Sequence, residues 1–211
     1  MRREARILVK SRAETGALDG PSRYWTDWRV KTVRSPNSVR HKGERVSEII
    51  EKHKLFIRGD EKGVRADLSG ANLSGVDFEG MNLDLVNFSG ANLEGAKLYN
   101  ARLSSADLTN ANLRKADLRK ADLTEAHASG ADLTNAKLGG AELFRTDFTG
   151  ANFRNADLGA ANFRDAKVQG ATFTGATMRT TILRETNLEG VDLSGLDLST
   201  TLMPPGYKRP A

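Results

Sequence analysis

The sequence predicts an all-β solenoid, a stack of short extended segments joined by corners, and three observations carry that prediction. From residue 66 to residue 200 the chain repeats every five residues without interruption: ADLSG, ANLSG, VDFEG, and so on to LDLST. The third position of each five runs from Leu68 to Leu198 over 27 repeats, of which 18 carry Leu and 6 Phe; the exceptions are Ala128, Val168 and Met178. The first position is Ala in 19 of those 27 repeats and otherwise Val, Met, Thr or Leu.

In an extended segment, residues two apart point to the same side. The first and third positions therefore face inward together, one small and one large, while the polar residues between and after them face outward. A period of five matches neither the 3.6-residue helix nor the two-residue strand, so a corner must follow each short extended stretch. Gly and Asn recur at the fifth position, and both tolerate the backbone conformations that a corner needs. The period alone leaves the number of sides open.

The tandem motif A(D/N)LXX resembles the pentapeptide-repeat family over 135 of the 211 residues. The segment EIIEKHKLFIRGDEKGVRADLSGANL is also similar to the lead-in of many bacterial members. The resemblance implies a right-handed quadrilateral parallel β-helix, with four sides and twenty residues to a coil. On that reading one inward ladder is Leu73, Leu93, Leu113, Leu133, Phe153, Phe173, Leu193. Another is Leu68, Phe88, Leu108, Ala128, Phe148, Val168, Leu188, with a gap at Ala128. Coils stacked at about 4.8 Å would make a rod of roughly 32 Å.

A stacked rod exposes backbone and apolar side chains at each end and needs caps there. Residues 44–57 predict an amphipathic capping helix with Val46, Ile49, Ile50, His53 and Ile57 inward, followed by Gly59 as a stop. A partner-binding helix is the alternative use of that face. Residues 44–65 are thus the helix and lead-in. At the other end, Leu202 and Met203 are expected to cover the last coil, and Pro204 and Pro205 to block further pairing in the tail 201–211.

Charge divides the chain. Residues 1–65 hold 17 Lys/Arg against 9 Asp/Glu, whereas residues 66–200 hold 13 against 18, within a total of +5. Residues 1–43 read as an extended basic arm, too poor in apolar residues for a core of its own. There is no cysteine, which excludes disulfides and thiolate metal sites. No apolar run approaches a membrane span, and the basic N-terminus lacks the apolar stretch of a secretory signal. The expectation is a cytoplasmic, bacterial protein without membrane insertion.

Catalysis needs a nucleophile, a base or a metal converging in a pocket, and a rod filled with Leu and Phe offers none inside. We expect no enzyme, no cofactor and no metal. The column Asp107, His127, Asp147, about 5 Å apart by strand spacing, is the nearest approach to a metal site, and a solvated charge ladder is its plainer reading. The column Asp77, Lys97, Asp117, Lys137, Asp157 alternates in sign and reads as structural.

Binding surfaces are the better candidates. Tyr24, Trp25 and Trp28, flanked by Arg23 and Arg29, bring together the residue types that most often anchor protein interfaces. Packing back onto the rod is the alternative for them. Single-stranded nucleic acid is a third reading, and the nine acids dispersed through residues 1–65 argue against it. Leu85, Tyr99, Phe144 and Ile182 are outward apolar residues of the repeats and form a candidate docking face. Two functions follow: a non-catalytic scaffold tethered by its arm to another protein or assembly, or a DNA-mimicking inhibitor or protector of DNA gyrase or another type II topoisomerase. The second comes from the resemblance alone, and the small charge excess of the rod departs from the strongly acidic pattern it implies.

Overall fold

A computed structural model describes residues 33–208. Parallel bridges join residues twenty apart in an unbroken series up to Lys167 and Asn187: Asp67 to Asn87, Asn72 to Asn92, Asp77 to Lys97, Asn82 to Arg102, and onward. A coil is therefore four repeats long, and the four-sided expectation holds. On each side the third-position N–H donates to the next coil (Leu68 to the Asn87 carbonyl, 2.7 Å), and the next coil donates back (Asn87 to the Ala66 carbonyl, 3.0 Å). The corner closes on itself, with the Ala71 N–H bonded to the Leu68 carbonyl at 3.1 Å.

The corners explain the polar positions. Every fifth position from 70 to 195 has positive φ. In most repeats the second-position Asp or Asn accepts the N–H two residues on, as Asp67 does from Ser69 (3.1 Å) and Asn112 from Arg114 (3.2 Å). This side-chain turn is why the motif demands Asp or Asn there.

Inside, the third positions are buried apart from Leu188, which is half-buried. The single-Ala rung at Ala128 is fully buried, and Phe148, one coil further, sits edge-on to Phe153 at 5.0 Å. Phe153 stacks on Phe173 at 5.0 Å with planes 2° apart, and Phe163 joins the cluster. Four first-position threonines are buried: Thr146, Thr181, Thr186 and Thr201. Each hydroxyl donates to a main-chain carbonyl 23 residues back, at 2.6–2.7 Å.

The stretch before the rod departs from the sequence expectation. The helix α1 spans Val46–Ile57, two residues shorter than expected, because residues 44–45 belong to a strand. Strands β1 (Arg40–His41) and β2 (Glu44–Arg45) form an antiparallel hairpin. Its turn, Lys42–Gly43, has positive φ at both residues, the geometry of a tight two-residue hairpin. The Arg45 N–H then donates to the Glu48 carboxylate at 3.0 Å and starts the helix. Further back, Arg34 bridges Val76, and its carbonyl accepts the Asp77 N–H at 2.9 Å, so it supplies a strand position one coil before the first. Residues 33–43, read from sequence as part of an extended arm, are folded with the first coil.

Helix α1 buries Val46, Ile50 and His53, while Ile49 and Ile57 are half-buried. Val46 and Ile50 join the same apolar cluster as Ala66 and Leu68 of the first coil. The lead-in is tight at Gly63, where a Cβ would overlap the backbone of Phe56 and Leu55.

At the far end the register runs one repeat beyond residue 200. Thr201 is inward, and Leu202 bridges Ile182 from a second position, leaving it 42% exposed. Leu202 therefore points outward and does not cover the coil; Met203, at a third position, packs against the core. Among the described residues, the bridge series stops at Lys167–Asn187 and resumes at Ile182–Leu202, so the last coil is bridged to its neighbour on two of its sides, and a third is held by the Thr180 N–H donating to the Thr200 hydroxyl at 3.1 Å.

Candidate functional site: the outer faces of the rod

The candidate sites lie on the outer columns, which the twenty-residue register places one residue per coil. Tyr24, Trp25, Trp28, Arg23 and Arg29 lie outside the described residues.

The four outward apolar residues are not brought together. Leu85 lies on the first coil, Tyr99 on the second and on an adjoining side, Phe144 on the fourth and Ile182 on the sixth, by the bridge register. Leu85 is 39% exposed and holds a left-handed corner at φ 65°. Tyr99 is half-buried beneath the Arg119 guanidinium and the Lys120 ammonium, 5.6 and 5.9 Å from its ring centre. Phe144 is likewise covered by Arg145 at 4.7 Å and Arg164 at 5.5 Å. These guanidinium-over-ring contacts shield the aromatic faces. The nearest thing to an apolar step is Ile182 beside Leu202 on successive coils.

The two charged columns stand as the register requires. Asp107 bridges His127, and His127 bridges Asp147. Yet both carboxylates are turned to their own corners, Asp107 accepting the Thr109 N–H at 2.9 Å and Asp147 that of Thr149 at 3.0 Å. Burial pushes the Asp147 carboxyl up, and the Thr149 hydroxyl and N–H outweigh it, holding the group below the usual carboxylate range. Among the described residues no cluster of three or more His, Asp or Glu side chains is arranged to hold a metal ion. In the alternating column, Asp117 pairs with Arg119 of its own repeat at 2.6 Å; that guanidinium, more than Lys137, holds its carboxyl low.

Two polar centres lie where α1 meets the first coil: His53, placed inward from sequence but without its bonds, and Asp84, which the sequence reading missed. His53 is fully buried and bonded through both ring nitrogens: Nδ1 accepts the Ala66 N–H at 3.2 Å, and Nε2 lies 2.8 Å from the Asp84 carbonyl. Asp84 is itself buried, its carboxylate taking Arg102 at 2.6 Å and the Ser104 N–H at 2.9 Å. A non-repeat Asp at a fourth position, twenty residues before a Ser on the same side, was the available signal.

A groove of about 370 Å³ opens beside this junction, lined by His41, Lys42, Ile49, Lys52, Arg65 and Asp67 among others. Two of its cations are paired within the wall, Lys42 with Asp67 at 2.5 Å and Lys52 with Glu44 at 2.6 Å, while Arg65 donates to the Leu85 carbonyl. The Lys42 ammonium, with Ser69 behind it, brings the Asp67 carboxyl down to about 2.

The family model for pentapeptide repeats matches residues 64–100, 101–140 and 141–179, in eight copies. The chain belongs to the pentapeptide-repeat family. Members fold as right-handed β-helices, which sets the hand of the coil described above. Among solved pentapeptide-repeat structures, HetL, a protein involved in heterocyst differentiation regulation in the cyanobacterium Nostoc, is 30% identical. That match covers 68% of this chain and 87% of HetL, at a TM-score of 0.35. QnrB1, a plasmid-mediated fluoroquinolone resistance protein, is 26% identical over 63% of this chain and 77% of its own, at a TM-score of 0.40. Rfr23 from the cyanobacterium Cyanothece is 26% identical over 74% and 98%, at a TM-score of 0.28. No curated protein matches the chain.

Proposed function

We propose that this pentapeptide-repeat protein is a non-catalytic binding rod, fastened to another protein or assembly through the segment preceding Val33. The observation that supports this reading most is the use of its side chains. The interior is filled by paired small and large apolar residues, and most second-position Asp and Asn side chains are engaged in corners, as at Asp67, Asn112 and Asp147. Such a body offers flat faces to a partner. The segment before it carries Tyr24, Trp25 and Trp28 with Arg23 and Arg29, the residue types that most often anchor protein interfaces.

The test compares the full chain with a chain starting at Val33, and with Trp25→Ala/Trp28→Ala, in recovery of a defined stoichiometric complex from the native cell. Loss of the complex with an unchanged rod melting temperature is expected. Retention of the complex, or a large fall in rod stability, overturns the tether.

We further propose that α1 caps the rod, closing the apolar end that the first coil would otherwise present to water. A second partner, a type II topoisomerase, is favoured only by the carboxylate excess of residues 66–200. Arg114, Lys115, Arg119 and Lys120 lie together on the third coil and interrupt any continuous acidic face. Gyrase supercoiling should proceed unhindered at low micromolar rod; inhibition there would promote the topoisomerase reading.

A further inference from the structure

The two ring nitrogens of His53 tie α1 to two different sides of the first coil. Ala66 opens the first side and Asp84 belongs to the fourth. The Ala66 main-chain nitrogen can only donate, so Nδ1 must carry a lone pair. The Asp84 carbonyl can only accept, so Nε2 must carry the proton. One state of the ring satisfies both partners: the neutral imidazole with hydrogen on Nε2. A proton added at Nδ1 would set two N–H groups against each other 3.2 Å apart, in a site with no access to water.

We propose that His53 is a pH-sensitive clasp, and that its protonation releases helix α1 from the first coil and uncovers the N-terminal end of the rod. The inference rests on the capping role of α1 given above. The charged groups facing the ring bear on it from each packed element. Asp84, from the fourth side of the first coil, attracts an imidazolium, but its carboxylate is already committed to Arg102. Arg65, from the lead-in, repels one. Within α1 the near neighbour is the uncharged ring of Phe56, stacked at 5.8 Å. Burial is the largest influence and lowers the affinity of the ring for a proton.

The sign follows. The folded chain resists protonation of a group that the unfolded or released helix protonates at the ordinary imidazole value of about 6.5. The clasp is therefore complete above that pH and weakens as pH falls below it. Release would expose Val46 and Ile50 together with the open backbone of the first coil, turning a closed end into an adhesive one.

Amide hydrogen exchange of the full chain, expressed as protection factors, separates the two claims. At about pH 7.5, α1 amides protected far above an unfolded segment support the cap; unprotected α1 amides overturn the cap and the clasp with it. On lowering the pH to about 5, α1 protection should fall at least tenfold more than that of the third-coil amides. His53→Gln supplies an amide that can accept from Ala66 and donate to Asp84 at any pH, and it should abolish that selective loss. An equal loss in both proteins, or no loss in the wild type, overturns the clasp while leaving the cap intact. Should the variant fail to fold, the ring ¹⁵N shifts of His53 in the wild type decide. They should report an Nε2-protonated neutral ring at neutral pH and a titration coincident with the loss of α1 protection. A doubly protonated ring at neutral pH overturns the proposal.

Discussion

The Thr146 hydroxyl donates to the main-chain carbonyl of Leu123 from inside the rod, at 2.7 Å. That carbonyl already accepts the Ala126 N–H at 2.9 Å, so the threonine adds a second bond to a satisfied group. Thr146→Val keeps the shape and removes only the hydroxyl. It should destabilise the rod by about 0.5–1.5 kcal/mol in urea unfolding. A variant as stable as the wild type would show that these buried hydroxyls are mere space-fillers.

Phe153 lies at the centre of the aromatic cluster, between Phe148, Phe163 and Phe173. Phe153→Ala should cost about 3–5 kcal/mol, through lost burial and the cavity left behind. An unfolding free energy within experimental error of the wild type would place the assignment of inside and outside in doubt.

Leu85 holds a left-handed corner at φ 65° where most nearby repeats use Gly. A branched side chain there is strained by roughly 1–2 kcal/mol. Leu85→Gly should therefore raise stability, by about 0.5–1 kcal/mol after the entropy that glycine loses on folding. If this leucine docks a partner, the same change should weaken the complex while stabilising the rod. A destabilised variant would mean that Leu85 packs more than its exposure indicates.

The Lys42–Asp67 pair joins the hairpin turn to the first coil. Because the carboxyl is held at about 2 in the folded chain, its contribution is present above the ordinary aspartate value and is lost as pH falls from there through 2. Lys42→Met removes that contribution at neutral pH. The melting temperatures of wild type and variant should thus differ near neutrality and converge in strong acid. A gap that persists at low pH would assign the effect to the lysine stem rather than to the ion pair.

The repeat was legible because five residues fix both faces of each side at once. Leu68 and Ala66 announce inward positions by size alone, and every later coil repeats them. What stayed hidden depended on partners distant in sequence. Asp67 reads as an outward polar residue, although its oxygen caps the Ser69 N–H; the Asp–Leu–Ser spacing held that signal. Thr146 reads as a tolerated substitute for Ala, since its acceptor lies 23 residues away. The pairing of Arg34 with Val76 crosses the whole lead-in, and no local pattern specifies it. His53 was placed on the correct face of the helix, but its two bonds arise only once the first and fourth sides meet beneath it.

The twenty-residue register also governs how such a molecule can change its length. Inserting one repeat leaves every inward residue inward, yet carries everything downstream a quarter turn around the axis, so each outer column beyond it is spliced onto a different one. Inserting four repeats lengthens the rod by one coil and restores every column. Gene duplication in blocks of twenty residues would therefore preserve a binding face, whereas duplication of a single five-residue unit would keep the fold and scramble the surface.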